Sequence, residues 1–135
     1  MIDEKKLAEL ALKARYNAYA PYSGYTVGAA VLAEDGNIYC GRNIENASYP
    51  AGICAERTAI FKAVSEGNSK IIALALSASR AGEEASDYPS PCGICRQVMS
   101  EFCKGDFEIV LFDGNGEKII PLDNLLPYSF TGENL

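Results

Sequence analysis

Residues 71–78, IIALALSA, are almost entirely apolar, and this run constrains the fold more than any other stretch of the chain. A strand with one wet face alternates apolar and polar side chains. A run without alternation suits a strand covered on both faces. The chain must therefore supply covering layers, and 135 residues at 48% hydrophobic can bury a core of that kind.

The remaining patterns supply those layers. Leu7, Leu10, Ala11, Ala14 and Ala18 share one face of an amphipathic helix predicted over residues 3–19, which Pro21 and Gly24 stop. Residues 25–33 read as a strand, and Asp35 and Gly36 turn it into a second one at 37–41. Residues 43–53 have no period and read as a loop. Helices are predicted over 54–66, ended by Gly67, and over 92–103, with a polar loop at 80–91 between strand and helix. Strands at 107–112 and 117–121 follow, then a short helix at 122–126 before Tyr128 and Phe130. This order predicts one α/β domain over residues 1–135. Its architecture is three-layer α/β/α, with a mixed sheet of about five strands and an antiparallel hairpin in it.

Charge and composition exclude several functions. Eighteen acidic against twelve basic residues give a net charge of −6. That argues against a nucleic-acid partner, which a basic face would serve. The N-terminal MIDEKKLAEL has no apolar signal core, and no apolar stretch is long enough to span a membrane. The expectation is a cytoplasmic protein without a membrane partner. There is no histidine. Ser-His-Asp triads, Cys-His pairs and histidine metal ligands are all ruled out, so proton transfer falls to Asp, Glu, Lys, Tyr or Cys.

Five cysteines, at 40, 54, 92, 95 and 103, form an odd set that suits a reducing compartment. Cys54 opens one predicted helix, and Cys92 and Cys95 share the first turn of another. Helix N-termini favour thiolates. Three thiolates around Zn²⁺ leave one tetrahedral position open, the pattern of a catalytic site. Arg57, one turn from Cys54, is placed to donate to the sulfurs and offset their charge. Glu56 is the one carboxylate adjacent to a candidate ligand, and it can reach the metal only if the metal lies beyond the helix end. Cys40 and Cys103 read as ordinary buried thiols. A C-x-x-C redox pair and a structural four-cysteine zinc site also fit these spacings.

The motifs resemble a known family. CAER at 54–57 followed by PCGICRQ at 91–97 resembles the zinc signature of the cytidine deaminase superfamily. PYSGYTVGAA at 21–30, NIENASY at 43–49 and LLP at 125–127 are similar to the free-nucleoside cytidine deaminases in particular. A deaminase of another small substrate, such as blasticidin S, shares the zinc motifs but is not expected to carry N-x-E-N-A-S-Y. The resemblance implies one zinc ion per chain, with Cys54, Cys92 and Cys95 as ligands and Glu56 as the proton shuttle. It implies hydrolytic deamination of cytidine and 2′-deoxycytidine to the uridines with release of ammonia, a step of pyrimidine salvage. Asn43 and Glu45 would hold the ribose 3′-hydroxyl, and the Ala55 N–H would meet the pyrimidine 2-oxo group. A backbone carbonyl near Ser90 would accept from the 4-amino group. Tyr25 stands where the family usually packs Phe on the nucleoside, and Arg42 stands where relatives often have Cys. Small members are usually homotetramers, which makes Phe130 and Tyr49 candidates to reach a neighbouring subunit's site.

Overall fold

The computed structural model describes residues 2–135. Helix α1 (Glu4–Arg15) is followed by strands β1 (Tyr25–Ala33) and β2 (Ile38–Arg42), then helix α2 (Ala55–Ser65) and strand β3 (Ile71–Arg80). Helix α3 (Gly93–Phe102), strands β4 (Cys103–Phe112) and β5 (Glu117–Pro121) and the short helix α4 (Leu122–Leu125) complete the fold. The five strands form one sheet in the order β2-β1-β3-β4-β5. Only β3 and β4 pair in parallel, and the β1–β2 hairpin turns at Gly36, whose φ is +83°.

β3 lies at the centre, as its composition demands. Ala73 and Ala75 face α1, in a core with Leu7, Ala8, Ala11, Ala30 and Val110. Leu74 and Leu76 point the other way, among Ala55, Ala59 and Ile60 of α2 and Cys95 and Met99 of α3. Both faces are dry, so alternation would have placed polar groups in a core. The result is the three-layer α/β/α arrangement with its mixed five-stranded sheet.

Small residues let the layers close. A Cβ on Gly28 would overlap the Ala11 carbonyl oxygen of α1. One on Gly41 would sit 2.7 Å from the Ala55 carbonyl oxygen and closer still to Ala59 N. The approach at Gly41 seats the first turn of α2 directly on β2.

Two boundaries differ from the sequence pattern by more than two residues. α1 stops at Arg15 rather than at residue 19, because Tyr19 is committed elsewhere. Its N–H donates to Asn43 O at 3.0 Å, and its carbonyl accepts from Glu45 N–H at 2.9 Å. A residue in that bridge cannot also continue a helix, so Ala18 leaves the apolar stripe. β4 begins at Cys103 and not at residue 107, because Cys103 already pairs with Ile71. The register then shifts before Ala73 meets Glu108. Among the described residues, no helix is long and apolar enough to cross a membrane.

Candidate active site

The sheet carries two helix N-termini to one place. Cys54 is the N-cap of α2 and Cys92 the N-cap of α3, both with extended backbone, and neither side chain caps its own helix. The sulfurs are thus free to turn toward each other. Cys95, one turn into α3, is fully buried beneath them.

The three sulfurs form a compact triangle. Cys54 Sγ lies 3.6 Å from Cys92 Sγ, and Cys92 Sγ lies 3.3 Å from Cys95 Sγ. All three fall within 4.8 Å of one another. Tetrahedral zinc with Zn–S bonds near 2.3 Å requires sulfurs about 3.8 Å apart, so the donor set fits a zinc ion with little movement. Cys40 and Cys103 lie outside the cluster, which leaves the fourth position without a protein sulfur.

Electrostatics favour a thiolate here. The Cys95 thiol hydrogen-bonds to Cys54 and, with the Arg57 guanidinium beside it, holds Cys54 down to about 5. Arg57 Nη2 is 3.6 Å from Cys54 Sγ, and its charge opposes that of the clustered sulfurs. Cys95 is displaced in the opposite direction, because its proton is engaged with Cys54 and its surroundings are dry.

Glu56, the first-turn acid of α2, is 3% exposed. Burial, opposed by its own backbone N–H and reinforced by the negative Cys54, pushes its carboxyl up to about 7. A carboxyl balanced near neutral pH can both take and give a proton.

A cavity of about 550 Å³ opens beside this cluster, with Cys54, Glu56, Tyr25, Asn43 and Glu45 on its walls. Ala55 and Ser90 line it too. The Asn43 side chain stitches the end of β1: its Oδ1 accepts from Val27 N–H and its Nδ2 donates to Tyr25 O, both at 2.9 Å. Glu45 accepts from the N–H groups of Tyr22 and Ser23 and from the Ser23 hydroxyl. That hydroxyl is the main cause holding its carboxyl below the ordinary glutamate value. Tyr25 is 44% exposed and forms part of the cavity wall, not of a core. Tyr49 also lines it, tilted against the Tyr22 ring at 6.4 Å between centroids.

Phe130 is not on the walls of its own chain's cavity. It is 57% exposed, and Gln97 Nε2 of α3 donates to its carbonyl at 2.8 Å. The site also uses Arg96, which the sequence pattern passes over. Its guanidinium donates to Pro91 O (2.8 Å), Leu125 O (2.7 Å) and Ser90 Oγ (2.7 Å), clamping the segment that delivers Cys92. Its place beside Cys95 in a first helical turn was the one signal that could have singled it out.

Three converging sulfurs with an open fourth position, and a buried carboxylate beside them, place the protein in the class of zinc-binding enzymes. Comparison with known proteins gives the family. The family model described as "Cytidine and deoxycytidylate deaminase zinc-binding region" matches residues 1–111. The chain is 48% identical to the cytidine deaminase of Sporosarcina psychrophila, over 99% of this chain and 96% of that protein. It is 44% identical to that of Halalkalibacterium halodurans, over 99% and 98%. Among solved structures, the Burkholderia pseudomallei cytidine deaminase superposes with a TM-score of 0.86 at 41% identity, covering 96% of this chain and 100% of that one. The chain belongs to the cytidine and deoxycytidylate deaminase family.

Proposed function

We propose that the cavity performs zinc-dependent hydrolytic deamination of cytidine and 2′-deoxycytidine, and that Cys54, Cys92 and Cys95 hold the ion. The observation that carries this reading is Glu56, buried with its carboxyl near neutrality beside the three-sulfur cluster in a cavity that Asn43 and Glu45 also line. A bound zinc ion supplies a Lewis acid that makes water a nucleophile at neutral pH.

The chain's own groups do the rest. The uncapped first-turn N–H of Ala55 donates to the pyrimidine 2-oxo group, and the carbonyl at Ser90 accepts from the 4-amino group. Tyr25 packs along the nucleoside, and Asn43 and Glu45 hold the ribose 3′-hydroxyl. Glu56 takes a proton from the attacking water and delivers it to ring N3, which makes C4 electrophilic. The C4–O bond forms, Glu56 then takes the remaining proton from the new C4 hydroxyl and passes it to the amino group, and the C4–N bond breaks as C4=O forms, releasing ammonia. Arg57 keeps the negative charge of the sulfurs tolerable.

Copies of the chain assemble as a homotetramer in this reading. Its support is the set of aromatic side chains left in solvent, Tyr49 on the cavity wall at 77% exposure and Phe130 in the C-terminal segment at 57% among them; in this reading these two reach a neighbour's site. A cytoplasmic location is supported by five free thiols, which an oxidising compartment would pair. The test is turnover of cytidine to uridine, followed by absorbance, together with zinc analysis of the parent protein and each Cys→Ala variant. Deamination with one zinc per chain, lost on removing Cys54, Cys92 or Cys95 but not Cys40 or Cys103, is the expected result. No turnover by the zinc-loaded protein overturns the reading.

A further inference from the structure

Glu45 has little hydrogen-bonding capacity left for a ligand. An ionised carboxylate offers about four lone-pair sites. Oε1 already accepts from Tyr22 N–H at 3.0 Å and Ser23 N–H at 3.1 Å, and Oε2 accepts from the Ser23 hydroxyl at 2.5 Å. One site, on Oε2, remains. Asn43 is similarly committed to Val27 N–H and Tyr25 O and keeps one amide N–H free.

The Ser23 hydroxyl is fixed from its other side. Its oxygen accepts from Tyr25 N–H at 3.0 Å, the first residue of β1, so its single proton is left for Glu45. A relay thus runs from the start of the strand, through Ser23, to the Glu45 carboxylate. Ser23 and Glu45 both line that cavity.

We propose that Ser23 is a positioning residue for sugar recognition: its hydroxyl pins the Glu45 side chain and fills one lone pair, leaving a single acceptor site for a donor on the substrate's sugar. This rests on the assignment of Asn43 and Glu45 to the ribose given above. With one acceptor on Glu45 and one amide N–H on Asn43, the pair matches an alcohol, which gives one proton and takes one. A sugar position bearing hydrogen leaves both unpaired, and without the Ser23 hydroxyl Oε2 loses its fixed partner while Oε1 stays held by the two backbone N–H groups. The discrimination between an alcohol and its absence therefore depends on Ser23, although Ser23 itself never touches the substrate.

The experiment measures kcat and KM for cytidine and 3′-deoxycytidine with the parent, Ser23→Ala, Ser23→Thr and Glu45→Gln, all zinc-loaded and checked for metal content. Ser23→Ala should lower kcat/KM for cytidine about tenfold, the scale of one hydrogen bond to a charged group. It should change 3′-deoxycytidine less than threefold, so the preference between the two collapses. Ser23→Thr, which keeps the hydroxyl, should restore the preference. If Ser23→Ala does not fold, Ser23→Cys keeps the shape with a weak donor and carries the same expectation. An equal loss on both substrates, or no rescue by Thr, shows a general role in the turn and overturns the proposal. An unchanged preference in Ser23→Ala while Glu45→Gln abolishes it also overturns the proposal and leaves the ribose assignment standing. An unchanged preference in Glu45→Gln removes that assignment, and the proposal with it.

Discussion

Glu56 acquires its character from two things one residue apart. It follows an N-cap cysteine, which puts it in the first turn of α2, and packing around that turn leaves it 3% exposed. The adjacency was legible in the CAER motif; the burial that moves its carboxyl to about 7 was not, because it needs residues from both helices. Glu56→Gln keeps the shape and removes the titrating group. It should bind zinc as the parent does while cytidine turnover falls by at least roughly 10²–10⁴-fold, and metal analysis beside steady-state kinetics checks both. The roles of Ser23 and Arg96 were not legible, although both residues stand inside the PYSGYTVGAA and PCGICRQ motifs. Their partners lie 22 and 29 residues away, and no local pattern announces such a bond.

Elements place these residues, and the tightest placement is α2 on β2. The hydrophobic patterns located the three long helices and all five strands, since each pattern, periodic or continuous, survives reading in one dimension. What they could not supply was where α1 yields to the Tyr19 bridge, a competition between a helix and a loop 25 residues further on. They also could not show that Gly41 is the floor under α2. A methyl group there meets the Ala55 carbonyl oxygen, and backbone has nowhere to rotate. Gly41→Ala should cost about 1–3 kcal/mol by overpacking. It should also lower zinc content, because α2 lifts and takes Cys54 with it. Gly132→Ala, where an added Cβ meets nothing within 4 Å, is the control and should change neither Tm nor metal.

At the scale of the whole molecule, the edge of the sheet is tied to α2 by one acidic residue. Asp35, in the β1–β2 turn, accepts from Tyr39 Oη at 2.7 Å, from Asn37 N–H at 2.9 Å and from Asn68 Nδ2 at 3.1 Å. Asn68 is buried beyond the end of α2 and also donates to Ala63 O. The Tyr39 hydroxyl above all, with the amide donors, holds the Asp35 carboxyl down at about 2. A carboxyl lowered on folding stabilises the protein above its unfolded value, near 4, and loses that contribution as pH falls through about 2. Asp35→Asn should therefore be less stable than the parent at pH 7, with the gap closing between about pH 4 and pH 2. Urea unfolding across that range reads it directly.

The two helix ends that share the sulfur cluster are separated in the chain by 38 residues, counted from Cys54 to Cys92, and all of β3 lies between them. An ion gripped from both sides is a reversible cross-link, and the unfolded chain, with its cysteines dispersed, cannot hold it in the same way. At a hundredfold excess of free zinc over its dissociation constant, such a link adds about 2.7 kcal/mol to the folded state. A chelator should lower Tm by several degrees in the parent, and in Cys92→Ala by far less. Metal supply then governs more than catalytic rate. In a cell short of zinc, chains open more often and proteases reach them first, so scarcity would thin the population of enzyme molecules instead of leaving idle ones to wait for their ion.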